Sequence, residues 1–237
     1  MSNFKPKGRS SLPYELLQFG VHMVYSEGTR TEPSYIDSIK KSIASKYNCL
    51  QNDIKIINGN EEKSFNTLGL IKFGLNDVKR RLKNNEVINH VWFFFDKDDF
   101  PKDKYDEACK VEKMNNSTEL NIEGFKYNKN DNITYHCCYS NEAFELWLLL
   151  YFVYMDSTLT RTQYIEIINN ELKSRNYDNK YSKNMGDIHQ TLTKLGGSID
   201  KAIKGSKKLT EENGFNSPST AVWKFAEYFK SYMDNKK

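Results

Sequence analysis

The first two thirds of the chain alternate between short apolar runs and longer segments whose apolar residues recur every three or four positions. Apolar runs rich in β-branched and aromatic residues predict strands, and the longer spacing predicts amphipathic helices. The predicted strands cover residues 21–25, 53–57, 90–95 and 134–139. The predicted helices cover residues 31–47, 65–82, 102–113 and 144–154. An alternating order of this kind is typical of a mainly parallel sheet with helices on both sides.

Three local features refine this outline. Thr31, with Pro33 two residues later, is typical of a helix N-cap and first turn. The run from His90 to Phe95 is continuously apolar, which predicts a strand buried on both faces. Residues 115–132 are polar and are predicted to form a surface loop.

Strand patterns stop after residue 156, and only helical spacing continues. Helices are predicted at residues 162–175, 187–204 and 218–233. We therefore expect three parts along the chain. They are a basic N-terminal tail at residues 1–19, an α/β domain at residues 20–155, and a helical extension at residues 156–237 that packs on it.

The composition fits a globular protein without a membrane span. Hydrophobic residues make up 38% of the 237 residues and aromatic residues 14%, which is enough for a sizeable core. The longest apolar run, Leu146 to Met155, is well short of the ~18 residues that a membrane-spanning helix needs. The N-terminal segment lacks the apolar stretch of a signal peptide, and the four cysteines have no CxxC spacing. We therefore expect reduced thiols, no zinc site and a cytoplasmic location.

The distribution of charge is more informative than the net charge of +4, which permits nucleic-acid binding without arguing for it. The segment from Asp96 to Glu107 contains six carboxylates and three lysines, and it would attract a divalent cation. Basic clusters would attract phosphates instead. They comprise Lys5, Lys7 and Arg9 in the tail, then Lys79, Arg80, Arg81 and Lys83, and finally Lys201, Lys204, Lys207 and Lys208.

Carboxylates directly follow two of the predicted strands. Glu27 comes after the first strand, and Asp96 and Asp98 come after the third. Because the carboxyl ends of parallel strands meet at one edge of a sheet, these three side chains are expected to converge there. Hard oxygen ligands suit Mg²⁺ or Mn²⁺, and such a site supports phosphoryl transfer or hydrolysis. The alternative is structural, since Asp accepts turn geometry and caps the helix that follows.

Other chemistries lack their signatures in this sequence. The four histidines are scattered, which favours core or surface roles over metal ligation. Ser26 and Ser140 have no histidine and acid in a triad arrangement. No GxxxxGK[ST] loop for ATP occurs.

Five blocks, in order along the chain, resemble motifs of the RloB family. Residues 26–35 (SEGTRTEPSY) are similar to its EGxxTEPxYF opening, and residues 95–100 (FDKDDF) to its D-[KR]-DD block. Residues 140–152 (SNEAFELWLLLYF) are similar to SNPxFELWLLLHF. Residues 181–183 and 216–220 resemble its Y-x-K and NPST elements. The sequence departs from these patterns at Glu142, where the family has Pro, at Tyr151, where it has His, and at Ser217, which interrupts NPST.

The resemblance implies a Toprim-like fold, in which one Glu follows the first strand and a DxD motif follows a later one. Toprim domains act on phosphodiesters with Mg²⁺ in topoisomerases, primases and nucleases. By this resemblance Glu27, Asp96 and Asp98 would be the catalytic and metal-binding acids. Residues implied for a second metal or its surroundings are Glu32, Asp99 and Glu145.

The resemblance also implies a biological role, because RloB-like proteins are associated with restriction-modification and abortive-infection loci. It implies a metal-dependent nuclease of DNA or RNA in anti-phage defence, with an ABC- or SMC-like ATPase as a candidate partner. A non-catalytic Toprim-like sensor, or a nucleic-acid-binding adaptor of such an ATPase, is the alternative. The lysines expected to contact nucleic acid are Lys97, Lys183, Lys204, Lys207 and Lys208.

Overall fold

The computed structural model describes residues 19–47, 52–58, 66–98, 100–117, 119–129 and 132–233. The basic tail with Lys5, Lys7 and Arg9 lies outside the described residues, and so does the predicted site residue Asp99. Among the residues that the structure describes, no helix is both long enough and apolar enough to cross a membrane.

A five-stranded sheet forms the centre of the fold. The strands are β1 (His22–Ser26), β2 (Ile54–Asn58), β3 (His90–Asp96), β4 (Glu119–Ile122), β5 (Phe125–Asn128), β6 (Thr134–Asn141) and β7 (Ser219–Thr220). The central sheet has the order β2-β1-β3-β6-β7, in which β7 is antiparallel to β6 and the other pairs are parallel. β4 and β5 form a separate antiparallel hairpin. The predicted α/β architecture with a mainly parallel sheet is therefore confirmed, and it is consistent with a Toprim-like fold.

The middle strand β3 is buried on both faces, as its apolar run predicted. Successive side chains of a strand point to opposite faces of the sheet. Val91, Phe93 and Phe95 accordingly pack in one hydrophobic core, and Trp92 and Phe94 pack in a second core on the other face. The sheet is thus the partition between two cores, which is typical of a parallel sheet covered by helices on both sides.

The helices divide between these two cores. They are α1 (Thr31–Lys46), α2 (Thr67–Lys83), α3 (Lys102–Ala108), α4 (Glu145–Leu149), α5 (Arg161–Ser174), α6 (Ile188–Lys194), α7 (Ile199–Asn213) and α8 (Trp223–Met233). A 3₁₀ helix, Cys109–Asn115, continues α3. Buried residues of α2 and α3 belong to one core, and those of α1 and of α4 to α8 belong to the other. The C-terminal helices therefore pack on the same face as α1, while the division of the chain at residue 155 stays a prediction.

The prediction of a surface loop at residues 115–132 was wrong, because this segment contains the β4–β5 hairpin. Leu120, Ile122 and Tyr127 are buried in the core on the α2 face. Between the strands, Glu123 and Gly124 have positive φ angles of 45° and 77°. Positive φ at both central residues is typical of the tight turn that joins a two-stranded hairpin. The polar residues that suggested a loop are the solvent-facing half of an alternating strand pattern.

The prediction of one helix over residues 187–204 was also wrong, because two separate helices, α6 and α7, occupy this segment. Gly196 has a φ of +84°, in the left-handed region that favours glycine. Ser198 then caps α7, and its hydroxyl accepts a hydrogen bond from the Lys201 backbone N–H at 3.3 Å. A glycine stop followed by a serine cap separates two helices that share the same apolar spacing.

Other helix boundaries also differ from the prediction. The helix predicted over residues 218–233 begins only at Trp223, because Ser219 and Thr220 form β7. The helix expected at residues 144–154 is limited to α4, and turns follow it. Thr31 is the first residue of α1 rather than its N-cap. Arg30 occupies the capping position and its side chain makes no capping hydrogen bond.

Candidate metal centre

A cavity of about 770 Å³ lies at the carboxyl edge of the parallel sheet. Its walls come from the residues that follow β1 and β3 and from the first turns of α1, α4 and α5. Five carboxylates line it, namely those of Glu27, Glu32, Asp96, Asp98 and Glu145. The structure therefore brings together all the predicted acidic residues that it describes.

Strand pairing sets the positions of Glu27 and Asp96. Glu27 directly follows β1, and its backbone N–H donates to the carbonyl of Phe94 in β3 at 2.9 Å. β3 continues beyond its pairing with β1 as far as Asp96, which is in register with Ser140 of β6. Both carboxylates thus project from the same edge of the sheet, on neighbouring strands.

A turn after β3 places Asp98 beside them. Asp98 has a positive φ of 38°, a conformation that Asp tolerates better than most residues. Its backbone N–H donates to the carbonyl of Glu142 at 3.2 Å, and the peptide bond that precedes Glu142 is cis. The Lys97 Nζ donates to the Asp98 carbonyl at 2.9 Å. The turn is therefore attached to the segment that follows β6.

Glu32 reaches the same cavity from the first turn of α1. It is 6% exposed, and its carboxylate lies against Gly28. A Cβ atom at residue 28 would lie 2.0 Å from Glu32 Oε2, so only glycine leaves room for this carboxylate. The Gly and the Glu of the EGxxTE segment are thus linked by packing.

Glu145 completes the set from the start of α4, where it is 1% exposed. The hydroxyl of Tyr181 donates to Glu145 Oε1 at 3.1 Å. Tyr181 is buried and belongs to the Y-x-K element, whose Lys183 also lines the cavity. Two blocks that are far apart in the sequence therefore meet at this carboxylate.

One guanidinium group binds three of the carboxylates. Nη2 of Arg161 donates to Asp96 Oδ2 at 2.8 Å and to Asp98 Oδ2 at 2.9 Å. Its Nε lies 3.4 Å from Glu145 Oε2, an ion pair rather than a hydrogen bond. Arg161 is the first residue of α5, and a capping box between Thr160 and Gln163 fixes that helix start.

Burial and mutual repulsion raise the pKa values of Glu27, Glu32 and Asp96. Burial is the main cause that raises the pKa of Glu27 to about 7, and the charges of Glu32 and Asp98 raise it further. Burial raises the pKa of Glu32 to about 6, with the charge of Glu145 contributing. Burial also holds the pKa of Asp96 well above its usual value, together with the charge of Glu32. A cation among these groups would favour their ionised forms.

The donor set suits a hard divalent cation. All five ligand candidates are carboxylates, and Asp96 Oδ1 is buried without a hydrogen-bond partner among the residues described. The same residues contain no group of three or more His, Cys, Asp or Glu side chains that is already arranged to hold a metal ion. Arg161 supplies the positive charge to Asp96 and Asp98 in this structure. The residues fit Mg²⁺ or Mn²⁺ by chemistry, in competition with this guanidinium.

A protein-family model described as RloB-like protein matches residues 22–229. The chain belongs to the RloB-like family. The match begins with β1 and ends within α8, so it includes every residue of the cavity. Searches of curated proteins and of solved structures gave no significant match.

Of two departures from the RloB-like motifs, one contacts the centre and the other lies in the hydrophobic core. Glu142 contacts the centre through its backbone, since its carbonyl accepts the hydrogen bond from Asp98. Tyr151 lies in the core and is fully buried. Its hydroxyl is 3.0 Å from the Tyr35 hydroxyl and 2.9 Å from Nδ1 of His189. Neither departure removes a carboxylate from the cavity.

The lysines predicted to contact nucleic acid lie in different places. Lys183 is exposed and lines the cavity, and Lys97 belongs to the turn beside it. Lys204 and Lys208 line a separate, smaller cavity. Lys207 instead pairs with Glu227, with its Nζ 2.6 Å from Oε1. Only Lys183 among the described residues of this set lines the acidic cavity.

Arg161 and Thr67 are the site residues that the sequence analysis missed. Thr67, in the first turn of α2, donates from its hydroxyl to Glu27 Oε2 at 3.0 Å. Neither residue belongs to the family blocks, and each is far along the chain from the acids it contacts. The Thr160-to-Gln163 capping box predicts where α5 starts, but no sequence signal links that start to Asp96.

Proposed function

We propose that this RloB-like protein is a metal-dependent nuclease that hydrolyses phosphodiester bonds of DNA or RNA in bacterial anti-phage defence. The observation that carries the proposal is the convergence of Glu27, Asp96 and Asp98 in one cavity at the carboxyl edge of the sheet. In open α/β sheets this edge is where ligands bind. A cluster of buried carboxylates with raised pKa values is costly for the fold, which is a property of sites selected for function.

In this proposal Glu27, Asp96 and Asp98 hold Mg²⁺ or Mn²⁺. Glu32 and Glu145 serve a second metal ion or support the first, and Asp99 is a further candidate by its position in the sequence. A bound divalent cation supplies charge stabilisation at phosphate and acidifies a water molecule. The protein's own contribution is to fix the carboxylates on neighbouring strands and to keep them largely out of bulk water.

The alternative role for Glu27 is that of proton acceptor, with Asp96 and Asp98 holding the metal ion without it. The Glu27 pKa of about 7 lies near a physiological pH, where a general base works best. The Thr67 hydroxyl binds Oε2 and thereby orients the carboxylate. Lys183 is exposed at the same cavity and would contact a phosphate of the substrate.

Arg161 is the observation that favours the second candidate function. It forms ion pairs with Asp96, Asp98 and Glu145, so these three carboxylates share one internal positive charge without any metal. This arrangement suits a Toprim-like sensor or adaptor that binds nucleic acid and signals to an ATPase partner without cleavage.

A cleavage assay separates the two functions. The purified protein is incubated with plasmid DNA and with total cellular RNA, in Mg²⁺ or Mn²⁺ or in EDTA. Asp96→Asn is assayed beside it because the amide keeps the size of the side chain and loses its charge. Asp200→Asn is the matched control, since Asp200 is exposed on α7 and pairs with Lys230 away from the cavity.

For a nuclease we expect metal-dependent cleavage by the wild type and by Asp200→Asn, and none by Asp96→Asn. Circular dichroism establishes that the inactive variant is folded. Cleavage by Asp96→Asn at the wild-type rate would exclude this centre. No cleavage by the wild type alone, but cleavage when the ATPase partner is added, would favour a complex in which both functions are partly correct. Cleavage in that mixture that Asp96→Asn retains would favour the adaptor.

A further inference from the structure

A second cavity, of about 250 Å³, lies between the segment that follows α4 and one face of α7. On one side its lining is apolar and aromatic, with Leu150, Phe152 and Tyr154. On the α7 side it is lined by lysines. We call it the basic-aromatic groove. None of its residues lines the carboxylate cavity.

The lysines of the groove share one helix face. Lys201, Lys204 and Lys208 are three and four residues apart, which places them in one row along α7. Lys201 and Lys204 are exposed and make no ion pair within the described part of the chain. Lys208 has a partner, since its Nζ is 3.7 Å from Glu212 Oε1. The groove therefore presents two positive charges that no acidic residue in the described ranges pairs with.

The apolar side presents an aromatic ring. Tyr154 is 37% exposed, a large fraction for an aromatic side chain of this protein. The Lys208 Nζ lies 4.6 Å from the centroid of that ring. A Cβ atom at Gly205 would lie 3.2 Å from both Leu150 Cδ2 and Tyr154 Cδ2. The glycine therefore lets the α7 backbone lie close to the apolar side of the groove.

We propose that the basic-aromatic groove binds a nucleotide of single-stranded nucleic acid, with the base against Tyr154 and the backbone phosphates at Lys201 and Lys204. Grooves that combine an aromatic platform with backbone-tracking lysines bind single strands in this way, because every base has a π-face to stack. This inference rests on the proposed function, in which the substrate is a nucleic acid. It adds a binding site that holds the strand outside the carboxylate cavity.

Lys207 provides a matched control on the same helix. It has the same charge as Lys204 and lies three residues away, but it pairs with Glu227 and its Nζ is 4.7 Å from the ring centroid of Trp223. It does not line the groove. A loss of binding caused by net charge alone would affect Lys204 and Lys207 equally.

The test measures binding without cleavage. Fluorescence anisotropy follows a labelled 12-nucleotide single strand, as DNA and as RNA, in EDTA at several salt concentrations. Lys201→Gln/Lys204→Gln should raise the Kd at least tenfold. It should also reduce the steepness of log K against log salt by about 1.4, the value for two phosphate contacts on a single strand. Tyr154→Leu should weaken binding at least fivefold and leave the salt slope unchanged, because stacking is not an ionic contact. Lys207→Gln should stay within twofold of the wild type.

Several outcomes would overturn this inference. One is a loss of binding free energy in Lys207→Gln that is half the loss in the lysine pair, because net charge alone would produce that ratio. The others are an unchanged Kd for Tyr154→Leu and no binding of either strand by the wild type. Binding of poly-glutamate at the same affinity would instead identify a surface for an acidic protein segment. The binding test and the cleavage test can fail separately. Binding at the groove is measured in EDTA, without the metal that cleavage needs. The expected loss of cleavage in Asp96→Asn does not depend on whether the groove binds a strand.

Discussion

Replacement of Glu27 by Gln should make the protein more stable above neutral pH, although it removes a central residue of the candidate site. Burial raises the pKa of Glu27 from 4.5 to about 7, and the charges of Glu32 and Asp98 contribute. The ionised carboxylate is therefore less favourable in the folded protein than in the unfolded chain. Gln keeps the size of the side chain and an oxygen that accepts the hydrogen bond from Thr67.

The size and sign of the effect follow from the two pKa values. An acid whose pKa is raised by folding does not destabilise the fold below its unfolded pKa of 4.5, and the cost grows as the pH rises to about 7. Each pH unit between these values corresponds to about 1.4 kcal/mol, which gives a total of about 3 kcal/mol at pH 8.5. Gln does not ionise, so the stability gained by Glu27→Gln should grow by about 2 kcal/mol or more between pH 5 and pH 8.5.

Urea unfolding in EDTA at pH 5, 7 and 8.5 measures this difference, and Glu211→Gln, an exposed position on α7, is the control. The free energy of unfolding of the control should follow that of the wild type at all three pH values. A gap between Glu27→Gln and the wild type that is the same at pH 5 and pH 8.5 would refute the electrostatic account of this site. Added Mg²⁺ should narrow the gap at pH 8.5, because a cation at the carboxylates stabilises the wild type more than the variant.

Three further predictions follow from the same structure. Arg161→Gln should lower the melting temperature in EDTA. In a thermal-shift titration the same variant should show a larger Mn²⁺-induced increase in melting temperature than the wild type, because the metal no longer competes with the guanidinium. An increase equal to that of the wild type would contradict this. Burial lowers the pKa of His136 from 6.5 to about 3, so the fold loses stability as the pH falls below 6.5. His136→Asn should therefore flatten the dependence of the unfolding free energy on pH between 6 and 5 by about 1 kcal/mol per unit, and an equally steep dependence would argue against a neutral buried imidazole. Gly28→Ala should displace Glu32 and weaken Mn²⁺ binding measured by calorimetry, whereas an unchanged affinity would show that Glu32 does not support the metal.

The parts of the fold that the sequence predicted are those with a clear period or a long apolar run. The mainly parallel sheet and the burial of β3 follow from such patterns, and family membership follows from five blocks in order. The wrong predictions fall where one residue changes the local backbone. Gly196 ends a helix inside a continuous helical pattern, and the turn at Glu123 and Gly124 converts a polar stretch into a hairpin.

Glu27, Asp96 and Asp98 were expected at one place because the ends of parallel strands meet at one edge, whereas Glu32 and Glu145 were expected from the family resemblance alone. The arginine that pairs with three of these acids was not predicted. Arg161 lies at the start of a helix that has no strand pattern to fix its place, and its partners are more than sixty residues away in the case of Asp96 and Asp98. Only tertiary packing brings that helix start to the sheet edge, and pattern in one sequence does not encode such a contact.

The position of Arg161 along the chain has a consequence for synthesis on the ribosome. A nascent chain emerges from its N-terminus, so Glu27, Asp96, Asp98 and Glu145 are all translated before the guanidinium that binds three of them. β7, which closes the sheet beside β6, is translated later still. Any part of the sheet that folds before residue 161 has left the exit tunnel would therefore bring carboxylates together without their arginine. The last step of synthesis at this centre would be the docking of the α5 start, which adds the positive charge.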